Sequence, residues 1–469
     1  METTASKSRW KIGVPHTYFL LFIIVVLCAI MTWIIPAGTF DRVKHQATGR
    51  TIIDPDSFHA VEQTPVGAWG VLKAFQTGME KSSDIIFFIF IIGGSFTILQ
   101  NTGAIDAGIT RLANKLQSRQ NWLLIVITFL FSVLGGTMGM SEEIIVFIPM
   151  AMALCGKLKL DPMVALGITM VGSRIGFTNG LANPFTVGVA QGLAELPIYS
   201  GLGYRLIWYV LILVVTCLYI VRYANRVKND PTKSALYGIE MEQVTEEEMK
   251  EVPFTLSRKL ILIELLVCFG VMFYGVFSLG WYLTELSAIF LLLGLLAGIT
   301  ARCNPNVMAK DFVAGTRDMV FAALVVGVAR AILVVLQSGQ IVDTIIFHAS
   351  ESLAHLPAVV AALGMYIFQL LLNFLIPSGS GQASATIPIM APLSDMLGIT
   401  RQTAVLAFHY GDGFTNLCFP TVGMLMASLG VAKVPYGRYI KWIMPLLWIW
   451  LVIGGISVAV ATIIKLGPA

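Results

Sequence analysis

The chain has 469 residues, of which 56% are hydrophobic and only 12% are charged, and its mean hydropathy is +0.79. Soluble chains carry about 25% charged residues, so this composition excludes an ordinary soluble domain and predicts a polytopic membrane protein. The six cysteines form neither a CxxC pair nor a Cys/His cluster, so they indicate no disulfide framework and no metal site.

Two membrane spans are predicted at the start of the chain. Residues 15–36 follow a basic segment and are long enough to cross a bilayer, so they are interpreted as a retained helix rather than a cleaved signal peptide. Residues 84–105 are the second span. The basic segment 106–120 that follows is expected to lie on the membrane surface.

A hairpin that enters and leaves the membrane on one side is predicted next, at 121–156. Residues 121–134 and 144–154 are apolar but too short to cross, and the glycine-rich turn 135–143 joins them. Two short arms around a polar tip are typical of a re-entrant hairpin, in which irregular backbone at membrane depth is shielded by protein.

One tetrapeptide, Gly-Phe-Thr-Asn, occurs twice, at Gly176–Asn179 and Gly413–Asn416. Each copy lies in an apolar stretch and is soon followed by proline and by Thr-Val-Gly. Hydrophobic segments that Gly and Pro interrupt at matching places in two halves mark a transporter's binding site, whereas one such segment alone could be a kinked packing helix. The pair predicts two broken helices, at 162–192 and 400–430.

The second half of the chain repeats the pattern of the first. Asp318–Gln337 resembles Asp84–Asn101, and a second hairpin, 357–397, carries the polar tip Pro377–Ser384. The charged stretch 225–257 is expected to be a cytoplasmic linker between the halves. The predicted units are an N-terminal repeat (1–224), this linker (225–257), a connecting span (258–279) and a C-terminal repeat (281–469).

Lys and Arg favour cytoplasmic loops and so set the predicted orientation. Residues 338–356 contain neither. Nine full spans and two hairpins fit this distribution, with 121–156 entering from the cytoplasm, 357–397 entering from outside and the odd connecting span inverting the second half. The predicted fold is therefore all-α and polytopic, with inverted-topology repeats, two re-entrant hairpins and two broken helices. The basic segments are the N-terminus and residues 106–120, 225–259, 302–317 and 431–441.

The two tips and the two breaks are expected to meet near the middle of the membrane. They supply hydroxyls, amides and carbonyls, which suit a dehydrated Na⁺ or a polar solute, and Asn179 and Asn416 are the candidate Na⁺ ligands. The neutral candidate binding residues are Thr137, Ser141, Thr178, Asn179, Asn183, Ser378, Ser380, Gln382, Thr415 and Asn416.

Ionisable residues inside the apolar layer are few. Charge at that depth costs at least roughly 2.5 kcal/mol, so function is the default interpretation. Arg174 and Asp412 could instead form a structural ion pair, His409 could be a satisfied core histidine as well as a proton carrier, and a structural pair is the favoured interpretation of Arg330. The ionisable candidates for the site are Glu142, Glu143, Arg174, His409 and Asp412.

Patterns of other function classes do not occur. The sequence contains no Walker A pattern, nucleophile elbow or HExxH, so neither an ATP-driven pump nor an enzyme is indicated. A channel remains the alternative class, because its pore loops can also be re-entrant.

The motifs resemble those of a known family. The tip Gly-Thr-Met-Gly-Met-Ser-Glu-Glu (136–143), the first break with its flanks (172–192) and the second (410–423) are similar to the C4-dicarboxylate anaerobic carrier family, and within it to the YfcC-like branch, whose members are described as basic amino acid antiporters. The resemblance covers nearly the whole chain. It implies the ion transporter superfamily, with a scaffold domain that dimerises and a transport domain that moves like an elevator.

The expected function is secondary active transport of a small charged organic solute in a bacterial inner membrane. Three acids, Glu142, Glu143 and Asp412, against one base, Arg174, favour a basic amino acid of the arginine or ornithine type. The alternative solute is a C4-dicarboxylate or other organic anion. Na⁺ or H⁺ is the expected coupling ion, with no other cofactor. The expected partners are the substrate, the bilayer and a second copy of the chain, without nucleic acid.

Overall fold

The chain folds into a body of α-helices with two small pairs of strands. The computed structural model describes residues 17–44, 51–105, 107–108, 111, 119–181, 183, 186–239, 253–279, 281 and 283–467. Much of the predicted surface segment 106–120 and of the linker 225–257 lies outside these residues.

The described helices are numbered here in chain order. The first nine are α1 (Thr17–Ile34), α2 (Ala68–Glu80), α3 (Ser83–Asn101), α4 (Gln120–Met138), α5 (Phe147–Lys157), α6 (Pro162–Leu166), α7 (Gly172–Asn179), α8 (Val187–Leu193) and α9 (Leu202–Asn229). The others are α10 (Leu256–Leu279), α11 (Leu283–Thr300), α12 (Pro305–Asp318), α13 (Val320–Ser338), α14 (Val342–Leu353), α15 (Ala358–Leu375), α16 (Gly379–Met396), α17 (Arg401–Thr415), α18 (Gly423–Val431) and α19 (Tyr436–Ile463).

Short strands lie between α1 and α2. They are β1 (Gly38–Thr39), β2 (Arg42–Lys44), β3 (Thr51–Ile53) and β4 (His59–Ala60), and they pair antiparallel as β1 with β4 and β2 with β3. Asp343 of α14 fixes this segment, because it accepts a hydrogen bond from the Phe40 amide at 3.0 Å and forms an ion pair with Arg42 at 2.9 Å.

Seven helices in the described part of the chain are long and apolar enough to cross a membrane. This confirms the predicted class of polytopic helical membrane protein. Residues Tyr18–Ile34 are a shorter apolar helix. The seven, with α12 and α13 taken together as one span, are Ser83–Asn101, Gln120–Thr137, Leu202–Asn229, Leu283–Thr300, Pro305–Ser338, Ala358–Leu375 and Tyr436–Ile463.

The prediction that residues 121–134 are too short to cross was wrong, because α4 continues through the glycines to Met138. A Cβ on Gly135 would lie 2.0 Å from the Ser173 carbonyl oxygen of α7. The glycines therefore permit close helix contact here rather than forming the turn. The helix ends where Gly139 adopts a left-handed conformation with φ of 67°, which glycine tolerates. Residues 139–146, which include a 3₁₀ turn at Glu142–Val146, are called the first tip.

The second predicted tip is also shorter than expected. Most of Pro377–Ser384 is helical, because α16 begins at Gly379 and only residues 376–378, called the second tip, lie between it and α15. Ser378 caps α16 by accepting a hydrogen bond from the Gly381 amide at 3.4 Å. Serine and glycine are common both in loops and at helix starts, and here they start a helix. Composition alone could not distinguish the two.

Both helices predicted to be broken are interrupted. Each Gly-Phe-Thr-Asn copy falls at the end of a helix, because α7 ends at Asn179 and α17 ends at Thr415. The interruptions follow the motif: the first break comprises the described residues 180, 181, 183 and 186 between α7 and α8, and the second break is 416–422. Gly180 has φ of 52°, in the left-handed region. Pro184 lies outside the described residues.

Helices from the two halves pack in matching pairs. α4 packs against α7 and α15 against α17, while α2 contacts α13 and α12 contacts α3. Glycines allow the last two contacts, since a Cβ on Gly78 would lie 2.4 Å from the Gly327 carbonyl oxygen and one on Gly93 would lie 2.8 Å from that of Gly315.

We expect Gly176→Ala to destabilise the protein. Its Cβ would lie 1.7 Å from the Ser132 carbonyl oxygen and 2.5 Å from the Gly136 amide nitrogen, and overpacking of this kind costs about 1–3 kcal/mol. The melting temperature of the purified variant measures the loss. Gly203→Ala is the matched control, because nothing lies within 4 Å of its Cβ position. Equal melting temperatures for the two variants would contradict this packing.

Candidate functional site

Both tips and both breaks contribute to one cavity of about 440 Å³. Glu142 and Glu143 come from the first tip and Ser378 from the second. Thr186 comes from the first break, and Asn416 from the second. Apolar residues of α13 and the aromatic ring of Phe374 complete the wall. The cavity wall therefore combines polar and charged groups with apolar ones, as small-molecule sites usually do.

Arg174 on α7 holds the first tip in place. Its Nη2 donates to Ser141 Oγ at 2.8 Å, and its guanidinium lies 4.4 Å from the centre of the Phe177 ring. The Ser141 amide in turn donates to Glu143 Oε2 at 2.9 Å. These bonds engage Arg174 and Glu143 in the structure of the tip, whereas the Glu142 carboxylate accepts no hydrogen bond from the described residues.

The charged groups at the cavity form no direct ion pair. Five ion pairs occur among the described residues, and all of them lie elsewhere: Arg42–Asp343, Lys233–Asp230, His348–Glu351, Arg401–Glu195 and Arg401–Asp395. The expected structural pair of Arg174 with Asp412 or a glutamate is therefore not formed within 4.0 Å. Charge without an ion-pair partner is costly to bury, so the cavity could compensate a charged ligand at Glu142, which is not held by the tip.

Asp412 lies behind the second tip with 0% exposure. A Cβ on Gly379 would be 3.2 Å from its Oδ2, so glycine brings the tip close to the carboxylate. Asn416 and Arg174 are its polar neighbours, but neither oxygen has a well-directed hydrogen bond within the described chain. Asn373 Oδ1 and Gln382 Oε1, both buried, also lack donors there.

The helices that lead into the two breaks, α7 and α17, contact each other directly. A Cβ on Gly413 would lie 2.5 Å from Thr178 Cγ2, and Tyr410 Oη donates to Asn179 Oδ1 at 3.5 Å. His409 lies beside Gly180, whose Cβ position is 2.3 Å from its Nε2. It is 1% exposed and does not line the cavity.

The structure brings seven of the predicted site residues into the cavity wall. They are Ser141, Glu142, Glu143, Arg174, Ser378, Ser380 and Asn416. The others lie behind the wall, where several hydroxyls and amides bond to nearby backbone, as Thr137 does to Val133 and Asn179 to Ile175. These are Thr137, Thr178, Asn179, Asn183, Gln382, His409, Asp412 and Thr415.

Some lining residues were not among the predicted site residues. Thr186 and Thr421 follow the repeated tetrapeptide in corresponding Thr-Val-Gly motifs, so the repeat itself carried a signal for them. Arg330 also lines the cavity. Its charge in the middle of an apolar helix indicated that Arg330 has a special role, but the sequence did not show that the side chain lines this cavity.

The family of the chain follows from its sequence. A model of the C4-dicarboxylate anaerobic carrier family matches residues 14–463, and the chain belongs to this family. It is a multi-pass transporter of the bacterial inner membrane and not an enzyme.

Two bacterial relatives align over almost their whole length. An Escherichia coli K12 protein named "Putative basic amino acid antiporter YfcC" is 33% identical over 478 aligned residues, which cover 93% of this chain and 94% of that protein. An uncharacterized Haemophilus influenzae protein is 27% identical, covering 97% of this chain and 98% of its own.

Two solved structures of transporters align with nearly the whole chain. The Alcanivorax borkumensis YdaH transporter matches with a TM-score of 0.43 and 16% identity, over 97% of this chain and 100% of its own. Neisseria gonorrhoeae MtrF matches with a TM-score of 0.42 and 16% identity, over 97% of this chain and 96% of its own.

Proposed function

We propose that this transporter carries a basic amino acid of the arginine or ornithine type, by exchange or by ion-coupled uptake. The observation that carries the proposal is the half-buried Glu142 carboxylate, which lines the cavity near Arg174 but accepts no hydrogen bond and forms no ion pair within 4.0 Å among the described residues. A substrate ammonium or guanidinium would supply the missing donors, and charge-assisted hydrogen bonds of this kind are strong.

The balance of charge supports a cationic substrate. Glu142, Glu143 and Asp412 are three acids at or behind the cavity wall, against two bases, Arg174 and Arg330. If all are ionised and no coupling ion is bound at Asp412, one negative charge is left over, and a basic amino acid carries one net positive charge. At a moderate effective dielectric, opposite charges in contact gain several kcal/mol and like charges lose as much.

The buried acceptor oxygens behind the second tip support a site for the coupling ion. Asp412 supplies two of them, beside Asn416, and Asn373 and Gln382 supply one each; none of the four accepts a well-directed hydrogen bond from the described residues. Oxygen donors suit hard cations such as Na⁺, and the carboxylate could take a proton instead. Asn416, which lies beside Asp412, is the better placed of the two asparagines first considered as Na⁺ ligands.

Matching helix pairs support an inverted-repeat architecture. The contact of α4 with α7 has its counterpart in α15 with α17, and that of α2 with α13 has its counterpart in α12 with α3. We infer that α4–α5 and α15–α16 are the re-entrant hairpins and that they move with the broken helices as an elevator-type transport unit. The remaining helices would form the scaffold, through which two copies of the chain associate.

Transport of an organic anion is the second candidate, because Arg174 and Arg330 both line the cavity. A dicarboxylate would place two carboxylates against these arginines, and the C4-dicarboxylate carrier name of the family agrees with such a substrate. It would also meet Glu142 and Glu143, and like charges in contact are unfavourable.

A ligand screen on the purified protein tests the substrate class. A ligand that binds only the native state raises stability by RT ln(1 + [L]/Kd), which is about 2.7 kcal/mol at 100 times Kd. We expect arginine and ornithine to raise the melting temperature and succinate and fumarate to leave it unchanged. The reverse pattern would support the organic-anion candidate and refute the basic amino acid.

A further inference from the structure

A second cavity adjoins the first. It also has a volume of about 440 Å³ and is bounded by the strand segment, α13, α14 and the start of α16. Arg330, Leu333 and Ser378 line both cavities, so the two meet at these residues. The second cavity therefore continues from the site toward the strand segment, whose Gly38, Thr39 and Arg42 line it.

Arg330 is charged in the middle of a helix of 19 residues. Its Nε is buried without a hydrogen-bond partner, and the side chain takes part in none of the ion pairs of the described chain. An unpaired guanidinium at this depth lowers stability. The apolar surroundings on α13, Val326, Ala329 and Leu333, offer no acceptor side chain.

The other arginines that line the two cavities are engaged. Arg174 donates to Ser141 Oγ at 2.8 Å, and Arg42 donates to both oxygens of Asp343 at 3.0 and 2.9 Å. Arg330 is the one cavity-lining arginine without such a partner among the described residues. A planar guanidinium with free donors matches a carboxylate through two parallel hydrogen bonds.

We propose that Arg330 binds the carboxylate of the substrate and makes the transporter select amino acids over the corresponding amines. The inference rests on the proposed function and deepens it. The substrate cation contacts Glu142 and Glu143 on the first tip, while its carboxylate contacts α13, so the substrate bridges two sides of the cavity. Arg174 remains the residue that positions the first tip.

The test compares ligands that differ at the carboxylate. Binding of arginine, agmatine and arginine methyl ester is measured by calorimetry on the wild type and on Arg330→Gln and Arg330→Lys. Hydrogen bonds between charged groups are worth about 1.5–3 kcal/mol, so Arg330→Gln should weaken the binding of arginine about 10- to 100-fold. The affinity for agmatine, which has no carboxylate, should change less than about threefold. Arg330→Lys, which keeps the charge, should give an intermediate loss.

Arg317→Gln is the matched control, because this exposed arginine on α12 lines neither cavity; it should bind all three ligands as the wild type does. Equal weakening of arginine and agmatine by Arg330→Gln would show a structural role and overturn the proposal. If the variants do not fold, the wild type alone decides, since equal affinity for arginine and its methyl ester would also overturn it.

Failure of the proposed function gives a different result. If the wild type binds succinate and not arginine, the proposal of a basic amino acid as the substrate is wrong. The binding of succinate is then compared with that of its monoamide, succinamate. A larger loss for succinate than for succinamate in Arg330→Gln would still support the carboxylate contact, and an equal loss would refute it.

Discussion

Replacing Asp412 with asparagine should abolish ion-coupled uptake while the protein still folds. The carboxylate is fully buried behind the second tip, and neither of its oxygens accepts a well-directed hydrogen bond in the described structure. Asparagine is nearly the same size, but it removes the negative charge that a Na⁺ or a proton needs. We expect the rate of gradient-driven uptake into proteoliposomes to fall at least about tenfold, the effect of 1.4 kcal/mol.

Asp395→Asn is the control for Asp412→Asn. Asp395 pairs with Arg401 at 2.9 Å, and its side chain is 48% exposed, so its removal should cost little. Uptake by Asp412→Asn within twofold of the Asp395→Asn rate would show that Asp412 carries no coupling ion.

Glu142→Gln should weaken substrate binding more than neutralisation of any exposed acid. The substituted amide keeps the shape of the side chain but loses the charge that faces the substrate cation. Loss of one charge-assisted contact is worth about 1.5–3 kcal/mol, so the apparent affinity for arginine should fall about 10- to 100-fold. Saturation of arginine uptake measures this change.

Glu62→Gln provides the comparison, because Glu62 is exposed in the segment between α1 and α2. Glu143→Gln separates the charge of Glu143 from its structural hydrogen bond. Glu143 accepts from the Ser141 amide, and a glutamine could still accept there. If Glu142→Gln and Glu62→Gln transport arginine with the same affinity, the Glu142 carboxylate does not contact the substrate.

The broad architecture was predictable because membrane helices leave a strong signal. Apolar length, the repeated tetrapeptide and the sparse intramembrane charges located the helices and the interruptions. The limits of the tips were not predictable. The glycines of α4 are typical of a turn, but here they are helical and allow close contact with α7. Ser378 caps a helix in a stretch whose composition predicted a loop.

Sequence also identified charged residues without showing which of them are engaged. A structural ion pair with a carboxylate was one of two interpretations of Arg174, but its guanidinium donates to Ser141 on the first tip. Arg330 was expected to have a structural partner, yet none occurs among the described residues and it faces both cavities. Such differences depend on side chains far apart in the chain, which no local pattern encodes.

Counterflow in proteoliposomes tests the proposed substrate most directly. Vesicles are loaded with unlabelled arginine or ornithine and diluted into labelled arginine, and accumulation of label is followed without an imposed gradient. We predict transient, saturable accumulation of arginine that internal ornithine supports and internal succinate does not. Accumulation of labelled succinate driven by internal succinate, with no response to arginine, would contradict the assignment of a basic amino acid as the substrate.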